Sequence, residues 1–224
     1  MIFKIKLFKK MSLAIFDIDG TLVQGNSERM FWRYLIRCGK QGPKQIFSYL
    51  MFLFSHLSAG IYSIKKNKAY LTGLHVKQVE MLANIFVTER LIFCLYKPAV
   101  QRLKQHLEQG DTVVLVSGTL NFLAHALADH LGVKKVYATV CSQYNDSFLA
   151  RPVKIHPFNH TKLDLALQLT HELKFKMTDT IAYGNSSHDL PLLAAVGKAV
   201  VVRPDANLLQ VARKLKWEIV GERK

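Results

Sequence analysis

Few cysteines, prolines and acidic residues occur in this sequence. Its 224 residues include only three cysteines, which are scattered along the chain at Cys38, Cys94 and Cys141. An odd number of scattered cysteines predicts neither a disulfide framework nor a cysteine-rich metal cluster, so a reducing cytoplasm is the expected compartment. The six prolines and the scattered aromatic residues form no recognisable nucleic-acid-binding module, so no nucleic-acid partner is expected.

The shortage of acid leaves a strongly basic chain. There are 31 lysines and arginines against 16 acidic residues, which gives a formal net charge of +15. This charge could attract an anionic substrate, a nucleic acid or an anionic membrane surface, and it is equally compatible with a solvated basic surface. Half of the residues are hydrophobic, which is enough for a sizeable core. The length fits one domain of ordinary size, with or without a modest insertion.

The first ten residues, MIFKIKLFKK, are basic and precede a short apolar run. That run, MSLAIF, is interrupted by Asp17 and is too short for the apolar region of a secretory signal. We therefore expect residues 1–10 to be a basic N-terminal extension, and Met11 could be the natural start.

Apolar strand-like runs alternate with helical patterns along most of the chain. The helical pattern at 121–132 stops at Gly132, and another helical pattern covers 161–173. This alternation predicts an α/β fold with a doubly wound parallel sheet, in which ligands bind at the carboxyl ends of strands. Asp17 and Ser117 each lie at the carboxyl end of one of the strand-like runs. The strand-like runs are 12–17, 112–117, 135–140, 179–183, 198–202 and, more weakly, 217–220.

Residues 25–94 break this alternation, because they read as helical throughout. We expect an inserted helical cap there, with the α/β core formed by 11–24 and 95–224. Within the cap, residues 45–64 have no charged side chain and are long enough to span a membrane. A single span would separate Asp17 from Ser117, so a buried or interface-facing cap helix is favoured over a membrane-surface element or a true span.

Four motifs occur in a characteristic order: FDIDGTL at 16–22, VVLVSGT at 113–119, a lysine at the start of a later helix, and YGNSSHDLPLL at 183–193. This order resembles the haloacid dehalogenase (HAD) superfamily of phosphohydrolases. The helical insertion directly after the first motif is similar to the phosphoserine-phosphatase-like branch, subfamily IB. The resemblance implies an enzyme, a HAD-type phosphatase that hydrolyses phosphomonoesters through an aspartyl-phosphate.

The resemblance assigns roles to residues of the first two motifs. Asp17 would attack phosphorus as the carboxylate nucleophile, and Asp19 would protonate the leaving alcohol and later deprotonate water. Gly20 would allow the bend that brings the two acids together. Ser117 and Gly118 would bind the phosphate through a hydroxyl and backbone amides near a helix N-terminus, and Thr21 is expected to assist.

The later motifs are expected to supply a cation and metal ligands. Lys162 lies in the first turn of its helix, where a cation opposes the helix dipole, and by resemblance it neutralises the phosphoryl group and holds Asp17. Mg²⁺ prefers oxygen ligands, and the resemblance implies a site formed by Asp17, the carbonyl of Asp19, Asn185 and Asp189. The family pattern has an aspartate where this chain has Asn185, which predicts weaker Mg²⁺ binding or a larger share of the binding for Asp189, and leaves a catalytically impaired protein open. His156, His160 and His188 show no zinc-like spacing and are not expected to act.

The substrate is less well defined by the sequence. The glutamate that reads the substrate amine in phosphoserine phosphatases corresponds to Asn26 here, and Glu28 is off register, so phosphoserine is not favoured. A basic, apolar-rich cap fits a small phosphorylated metabolite or a lipid phosphate, with the protein cytoplasmic and possible contact of the cap with the inner membrane surface. A phosphotransferase would share the chemistry, and a catalytically impaired phosphate-binding or membrane-surface protein is the alternative class. The oligomeric state is left open.

Overall fold

A computed structural model of the protein describes residues 11–55 and 66–222. The predicted extension at 1–10 lies outside the described residues, as does the 56–64 part of the uncharged apolar segment. The described strands are β1 (Leu13–Phe16), β2 (Thr112–Leu120), β3 (Lys135–Thr139), β4 (Gln143–Tyr144), β5 (Ser147–Phe148), β6 (Thr180–Gly184), β7 (Lys198–Val202) and β8 (Glu218–Val220). The described α-helices are α1 (Ser27–Arg37), α2 (Pro43–Ser55), α3 (Val76–Glu89), α4 (Lys97–Glu108), α5 (Asn121–Leu131), α6 (His160–Glu172), α7 (Leu190–Ala195) and α8 (Ala206–Lys214).

Six strands form one parallel sheet in the order β3-β2-β1-β6-β7-β8. From the central strand β1, the chain goes first to one side through β2 and β3 and then to the other side through β6, β7 and β8. The strand order therefore reverses at β1, and in such sheets the crevice at the reversal point is where ligands bind. Phe16 at the end of β1 is in register with Leu115 and Tyr183, so Asp17 lies at the carboxyl edge of the sheet.

The central strand is buried on both faces, because every residue of β1 is apolar and at most 1 % exposed. Ala14 and Phe16 pack into one apolar cluster, and Leu13 and Ile15 pack into the cluster on the opposite face. Helices cover both faces, as expected for a continuous apolar strand in a parallel sheet. The predicted α/β fold with a doubly wound parallel sheet is thus confirmed.

The inserted helices and the large sheet share one hydrophobic core. Phe31 of α1 packs against Phe86 of α3 with ring centroids 5.5 Å apart, and against Phe122 of α5 with centroids 5.7 Å apart. These three rings belong to a single apolar cluster that continues to β1 and β2. The division into a core and a cap at residues 24/25 and 94/95 stays a prediction.

The described part of the uncharged apolar segment lies in α2, where Phe52 is the buried residue of the helix. Its other apolar side chains are largely exposed, including Phe47 and Phe54 at 65 % and 68 %. A helix is present in this part of the segment, and it exposes most of its apolar side chains instead of burying them. Among the described residues, no helix is both long enough and apolar enough to cross a membrane.

The elements fall close to the sequence predictions, with one omission. Each strand-like run matches a strand of the large sheet, and α5 ends before Gly132, which adopts the left-handed conformation at φ 75°. The small hairpin β4–β5 was not predicted. Its turn residues Asn145 and Asp146 both have positive φ, which is typical of a two-residue hairpin turn, so this Asn-Asp pair was a usable signal.

Candidate active site

The first motif bends sharply after β1 and brings two acids to the edge of the sheet. Gly20 has φ 84°, a conformation that favours glycine, and it lies directly against the Asn185 side chain. A Cβ atom at Gly20 would be 2.0 Å from Asn185 Nδ2. The first and last motifs therefore meet at a point where only glycine fits.

Asp17, Lys162 and Asp189 form a buried charge cluster. Lys162 Nζ donates to Asp17 Oδ1 at 2.7 Å and to Asp189 Oδ1 at 2.6 Å. All three residues are at most 7 % exposed. Lys162 thus connects the first and last motifs, and the cluster contains two carboxylates for one ammonium group.

The two carboxylates of this cluster are not equivalent. Burial raises the pKa of Asp17, and the opposing effect of Lys162 does not overcome it. Burial also acts on Asp189, but Lys162 and backbone N–H groups of Asn185 and Ser186 outweigh it and lower the pKa of Asp189. Burial disfavours the charged form of Lys162, yet the two carboxylates more than compensate and raise its pKa.

Asp189 is held by the loop that precedes it. Its Oδ2 accepts hydrogen bonds from the backbone N–H groups of Asn185 at 3.0 Å and Ser186 at 3.1 Å. Ser186 and Asp189 form a capping box around the short 3₁₀ turn Ser187–Asp189. Asp189 therefore has a fixed carboxylate with one oxygen on the backbone and the other on Lys162.

Asp19 is held by the first residue of α1. The Ser27 backbone N–H donates to Asp19 Oδ1 at 2.8 Å, and the Ser27 hydroxyl is 2.6 Å from the Thr119 hydroxyl on β2. Burial raises the pKa of Asp19 to about 7, although hydrogen bonds from Ser27 oppose the shift. A carboxyl group with this pKa can donate a proton near neutral pH and take it back.

The second motif lines a cavity together with Asp17 and Asp19. Ser117 is 1 % exposed and its Oγ accepts a long hydrogen bond of 3.4 Å from the Thr119 backbone N–H. Gly118 lies against the His156 ring. These residues lie in the irregular last part of β2, and α5 begins only at Asn121, so the helix N-terminus is further from Ser117 than the sequence suggested.

Thr21 lies on the other side of Asp17. Its hydroxyl is fully buried and donates to Asp17 Oδ2 at 3.3 Å. Thr21 therefore orients the carboxylate oxygen that does not face Lys162.

The donor set of the site consists of oxygen atoms. In the described part of the chain, no group of three His, Cys, Asp or Glu side chains is placed to hold a metal ion. Asp17, Asn185 and Asp189 do line one cavity together with Asp19. Two carboxylates, an amide oxygen and a backbone carbonyl are ligands that suit Mg²⁺, so these residues fit that ion by chemistry, with one charge fewer than three carboxylates would give.

A cavity of about 370 Å³ extends from these acids to the inserted helices. His156 and His188 line it, whereas His160 does not. The His156 Nδ1 atom is 2.8 Å from the Thr139 hydroxyl. Four aromatic residues for which no role was predicted also line the cavity: Trp32, Tyr49, Tyr70 and Phe158.

Asn26, which the sequence comparison placed at the amine-reading position, has a structural role as the N-cap of α1. Its side-chain oxygen accepts from the Arg29 backbone N–H at 2.7 Å. Glu28, which seemed off register in the sequence, lines the cavity. Asn26 lines the same cavity, so both residues border it.

Here a parallel sheet carries paired acids and a buried lysine at the point where its strand order reverses. This arrangement is typical of a class of phosphoryl-transfer sites. The family model of the haloacid dehalogenase-like hydrolases matches residues 14–194. The chain belongs to this family. The match includes the residues of all four motifs.

Named relatives and a solved structure agree with this assignment. The chain is 28 % identical over 221 residues to phosphoserine phosphatase SerB1 of Mycobacterium tuberculosis, covering 92 % of this chain and 69 % of the relative. It is 25 % identical over 219 residues to a histidinol-phosphatase of Neisseria meningitidis, covering 94 % and 98 %. A Bordetella pertussis protein of unknown function has the same fold, with a TM-score of 0.79, 23 % identity, and coverage of 95 % and 99 %. The expected family and enzyme class, a HAD-type phosphatase, are confirmed.

Proposed function

We propose that this protein is a Mg²⁺-dependent phosphomonoester hydrolase that acts on a small phosphorylated metabolite through a phosphorylated Asp17. The observation that carries the proposal is the buried cluster in which Lys162 holds Asp17 at 2.7 Å and Asp189 at 2.6 Å. A structural ion pair needs one acid for each base. A second buried acid is costly unless a further cation, such as a metal ion, balances its charge, so its presence favours a catalytic role.

Asp17 would attack the phosphorus atom, and the bond to the leaving alcohol oxygen would break. Asp19 donates its proton to that oxygen, for which its raised pKa of about 7 is suited. In the second half of the reaction Asp19 takes a proton from water, which attacks the phosphorus of phospho-Asp17 and releases inorganic phosphate. Lys162 neutralises charge on the transferring group while it orients the nucleophile.

The phosphoryl oxygens would be bound by the second motif, whereas Thr21, which was expected to assist, is fully buried and would orient Asp17 through its hydroxyl. Ser117 and Gly118 line the cavity beside Asp17, and the Ser117 hydroxyl is a donor within it. Asp17, Asp19, Asn185 and Asp189 would hold the metal ion. Mg²⁺ supplies neutralisation of the negative charge that develops on the phosphoryl oxygens.

Asn185 favours a second candidate, a phosphate-binding protein that has kept the fold and lost turnover. Its amide oxygen can bind a metal ion but brings no charge. The Asn185 side chain also packs tightly against Gly20. The two candidates make opposite predictions for the substitution Asn185→Asp. An impaired site would gain activity, and a site adapted to asparagine would gain little or lose activity.

A lipid phosphate is the other substrate class, and it would place the protein at the inner membrane surface instead of free in the cytoplasm. The exposed apolar face of α2 supports it, since Phe47 and Phe54 could contact acyl chains. The limited cavity of about 370 Å³ supports the small metabolite instead. Flotation with anionic vesicles distinguishes the two, because only the lipid-phosphate enzyme should bind and act on vesicle-embedded substrate.

The test is hydrolysis of a generic aryl phosphate with and without Mg²⁺. The variants are Asp17→Asn and Asn185→Asp, with Asp164→Asn on the exposed face of α6 as the matched control. We expect Mg²⁺-dependent turnover that Asp17→Asn abolishes and Asp164→Asn preserves. Turnover that is unaffected by Asp17→Asn would refute the proposed nucleophile. Activity that appears only in Asn185→Asp would support the impaired candidate.

A further inference from the structure

Residues of the inserted helices form an aromatic side of the cavity, opposite the catalytic acids. We call Glu28, Trp32, Tyr49, Lys68 and Tyr70 the cap wall. The Trp32 ring lies 5.4 Å from the rings of Tyr49 and Tyr70, at interplanar angles of 34° and 35°. Its Nε1–H donates to Gln41 Oε1 at 3.1 Å, which fixes the ring. The cap wall therefore offers a preorganised surface to a planar group.

An ion pair lies within this aromatic surface. Lys68 Nζ donates to Glu28 Oε2 at 2.6 Å, and the Tyr70 hydroxyl donates to Glu28 Oε1 at 3.0 Å. The Lys68 side chain is 6 % exposed and that of Glu28 is 17 % exposed. Glu28 is thus the more accessible partner, and a carboxylate with two donors can accept further hydrogen bonds. The cap wall presents an acceptor to the cavity and carries little net charge.

Glu28 is tied to the catalytic centre through its neighbour in the chain. Ser27 binds Asp19 through its backbone N–H, and adjacent Cα atoms are about 3.8 Å apart. A leaving group that takes a proton from Asp19 therefore begins within a few ångströms of the segment that carries Glu28.

The core side of the same cavity is also aromatic. The Phe158 ring lies 5.6 Å from the His156 ring at 19°, and 4.3 Å from the His188 ring at 46°. Planar side chains thus line the cavity on both the cap and the core sides. A flexible aliphatic zwitterion would leave most of this aromatic surface without contact.

We infer that the cap wall binds the leaving group of the substrate, and that this group is a planar nitrogen-containing ring that donates an N–H hydrogen bond to Glu28. The inference rests on the proposed phosphatase function and names its substrate class. The ring stacks against Trp32 and Tyr49, and its N–H group binds Glu28. An aliphatic amino-acid phosphate is disfavoured, since it has no ring to contact the aromatic surface of the cap wall.

The test compares phosphate esters that differ in one property each. Imidazolylethyl phosphate and phenylethyl phosphate have similar planar groups, but only the first can donate an N–H hydrogen bond. Phosphoethanolamine has a donor without a ring, and phosphoserine adds a carboxylate. We expect kcat/KM for the imidazolyl ester to exceed that of the phenyl ester roughly ten- to hundredfold, as a hydrogen bond to a charged group allows. A preference for phosphoserine would overturn the inference.

Variants of the cap wall identify the residues that carry the preference. Glu28→Gln should reduce the imidazolyl-to-phenyl ratio to near one. Glu89→Gln, the same change at an exposed position of α3, should not alter the ratio. Trp32→Leu should lower the preference for ring esters over phosphoethanolamine by roughly three- to tenfold. Because each ratio compares two substrates on one preparation, a loss of folded protein cancels. An unchanged ratio in Glu28→Gln would refute the role of Glu28.

Calorimetric titration of the same esters into Asp17→Asn separates this inference from the proposed function. Binding does not need turnover, so the imidazolyl ester should bind most tightly even if the wild type hydrolyses nothing. Absent hydrolysis with this binding order would refute the phosphatase and keep the cap wall. Hydrolysis of an aryl phosphate with no binding preference for the nitrogen ring would refute the cap wall alone.

Discussion

Removing the nucleophile should make the metal-free protein more stable. The buried cluster contains two carboxylates and one ammonium group, and Asp17 is the carboxylate whose pKa burial raises, despite Lys162. Asp189 has a lowered pKa, because Lys162 and two backbone N–H groups favour its charged form over the cost of burial. Asp17 is therefore the excess charge. Asp17→Asn keeps the shape, removes the second negative charge and leaves the Lys162–Asp189 pair intact.

The magnitude follows from opposing contributions. The two carboxylate oxygens lie 2.7 and 2.6 Å from the same Lys162 Nζ atom, so they are close together. Two unit charges at roughly 5 Å repel each other by about 3 kcal/mol at an effective dielectric constant of 20. The attraction of Lys162 to Asp17 exceeds this, but desolvation of the carboxylate costs several kcal/mol. We expect a net gain of about 1 kcal/mol, in the range common for stabilising substitutions. For a chain of this length the gain corresponds to a rise in Tm of about 2–4 °C.

The pH dependence of this gain has a defined sign. Because the folded pKa of Asp17 is raised, the folded protein binds the Asp17 proton more tightly than the unfolded chain does. Wild-type stability therefore falls as pH rises above the ordinary aspartate value of about 3.9, and the Asn variant avoids this loss. The gain should be absent below about pH 4 and present at pH 8.

The assay is thermal and urea unfolding with a chelator present, at pH 4 and pH 8. Asp189→Asn is the matched comparison, because it replaces one of the two oxygens that accept from Lys162 and from the backbone N–H groups, and it leaves Lys162 without its second negative partner. It should destabilise by about 3 kcal/mol or more. Added Mg²⁺ should stabilise the wild type more than Asp17→Asn. Equal destabilisation by the two variants at pH 8 without metal would refute the assignment of Asp17 as the excess charge.

Three further predictions concern the surroundings of the site. Gly20→Ala should lower the free energy of unfolding by about 2 kcal/mol or more and abolish activity, because a Cβ atom there meets Asn185. Gly39→Ala is the control, also at positive φ but in open space, and it should cost only about 1 kcal/mol in urea unfolding. Ser27→Ala should lower kcat/KM about tenfold with little change in KM, because it removes the hydroxyl contact to β2 and loosens the segment that holds the catalytic acid. Glu218→Gln should lower the free energy of unfolding by less than about 1 kcal/mol at pH 7 and leave it unchanged at pH 3. The reason is that a hydrogen bond from Lys198 and the neighbouring cations lower the pKa of this half-exposed glutamate. Equal effects at both pH values would contradict this.

The sheet was predictable because its strands have strong local signals. β1 is a run of four apolar residues that ends directly before Asp17, and β7 matches its predicted range of 198–202 at both ends. Parallel strands buried on both faces need such runs, and the handedness of their connections restricts the strand order. The motif acids could be placed at the carboxyl edge by the same reasoning.

The contacts around those acids could not be predicted from spacing. The bond from Lys162 to Asp189 joins residues 27 positions apart, and the bond to Asp17 joins residues 145 positions apart. Such contacts depend on how helices pack on the sheet, which a single sequence does not encode locally. The position of Glu28 in the cavity was missed for the same reason, since it depends on where Asn26 caps α1.

In the proposed reaction, recognition and catalysis would depend on two consecutive residues of the chain. Ser27 binds the proposed acid Asp19, and Glu28 begins the cap wall; both residues lie at the N-terminus of α1. A shift of this helix would move the proton donor and the leaving-group site together, so a poorly fitting leaving group should lower kcat as well as raise KM. The two residues can still be separated by experiment. Ser27→Ala should slow all substrates alike, whereas Glu28→Gln should change their order.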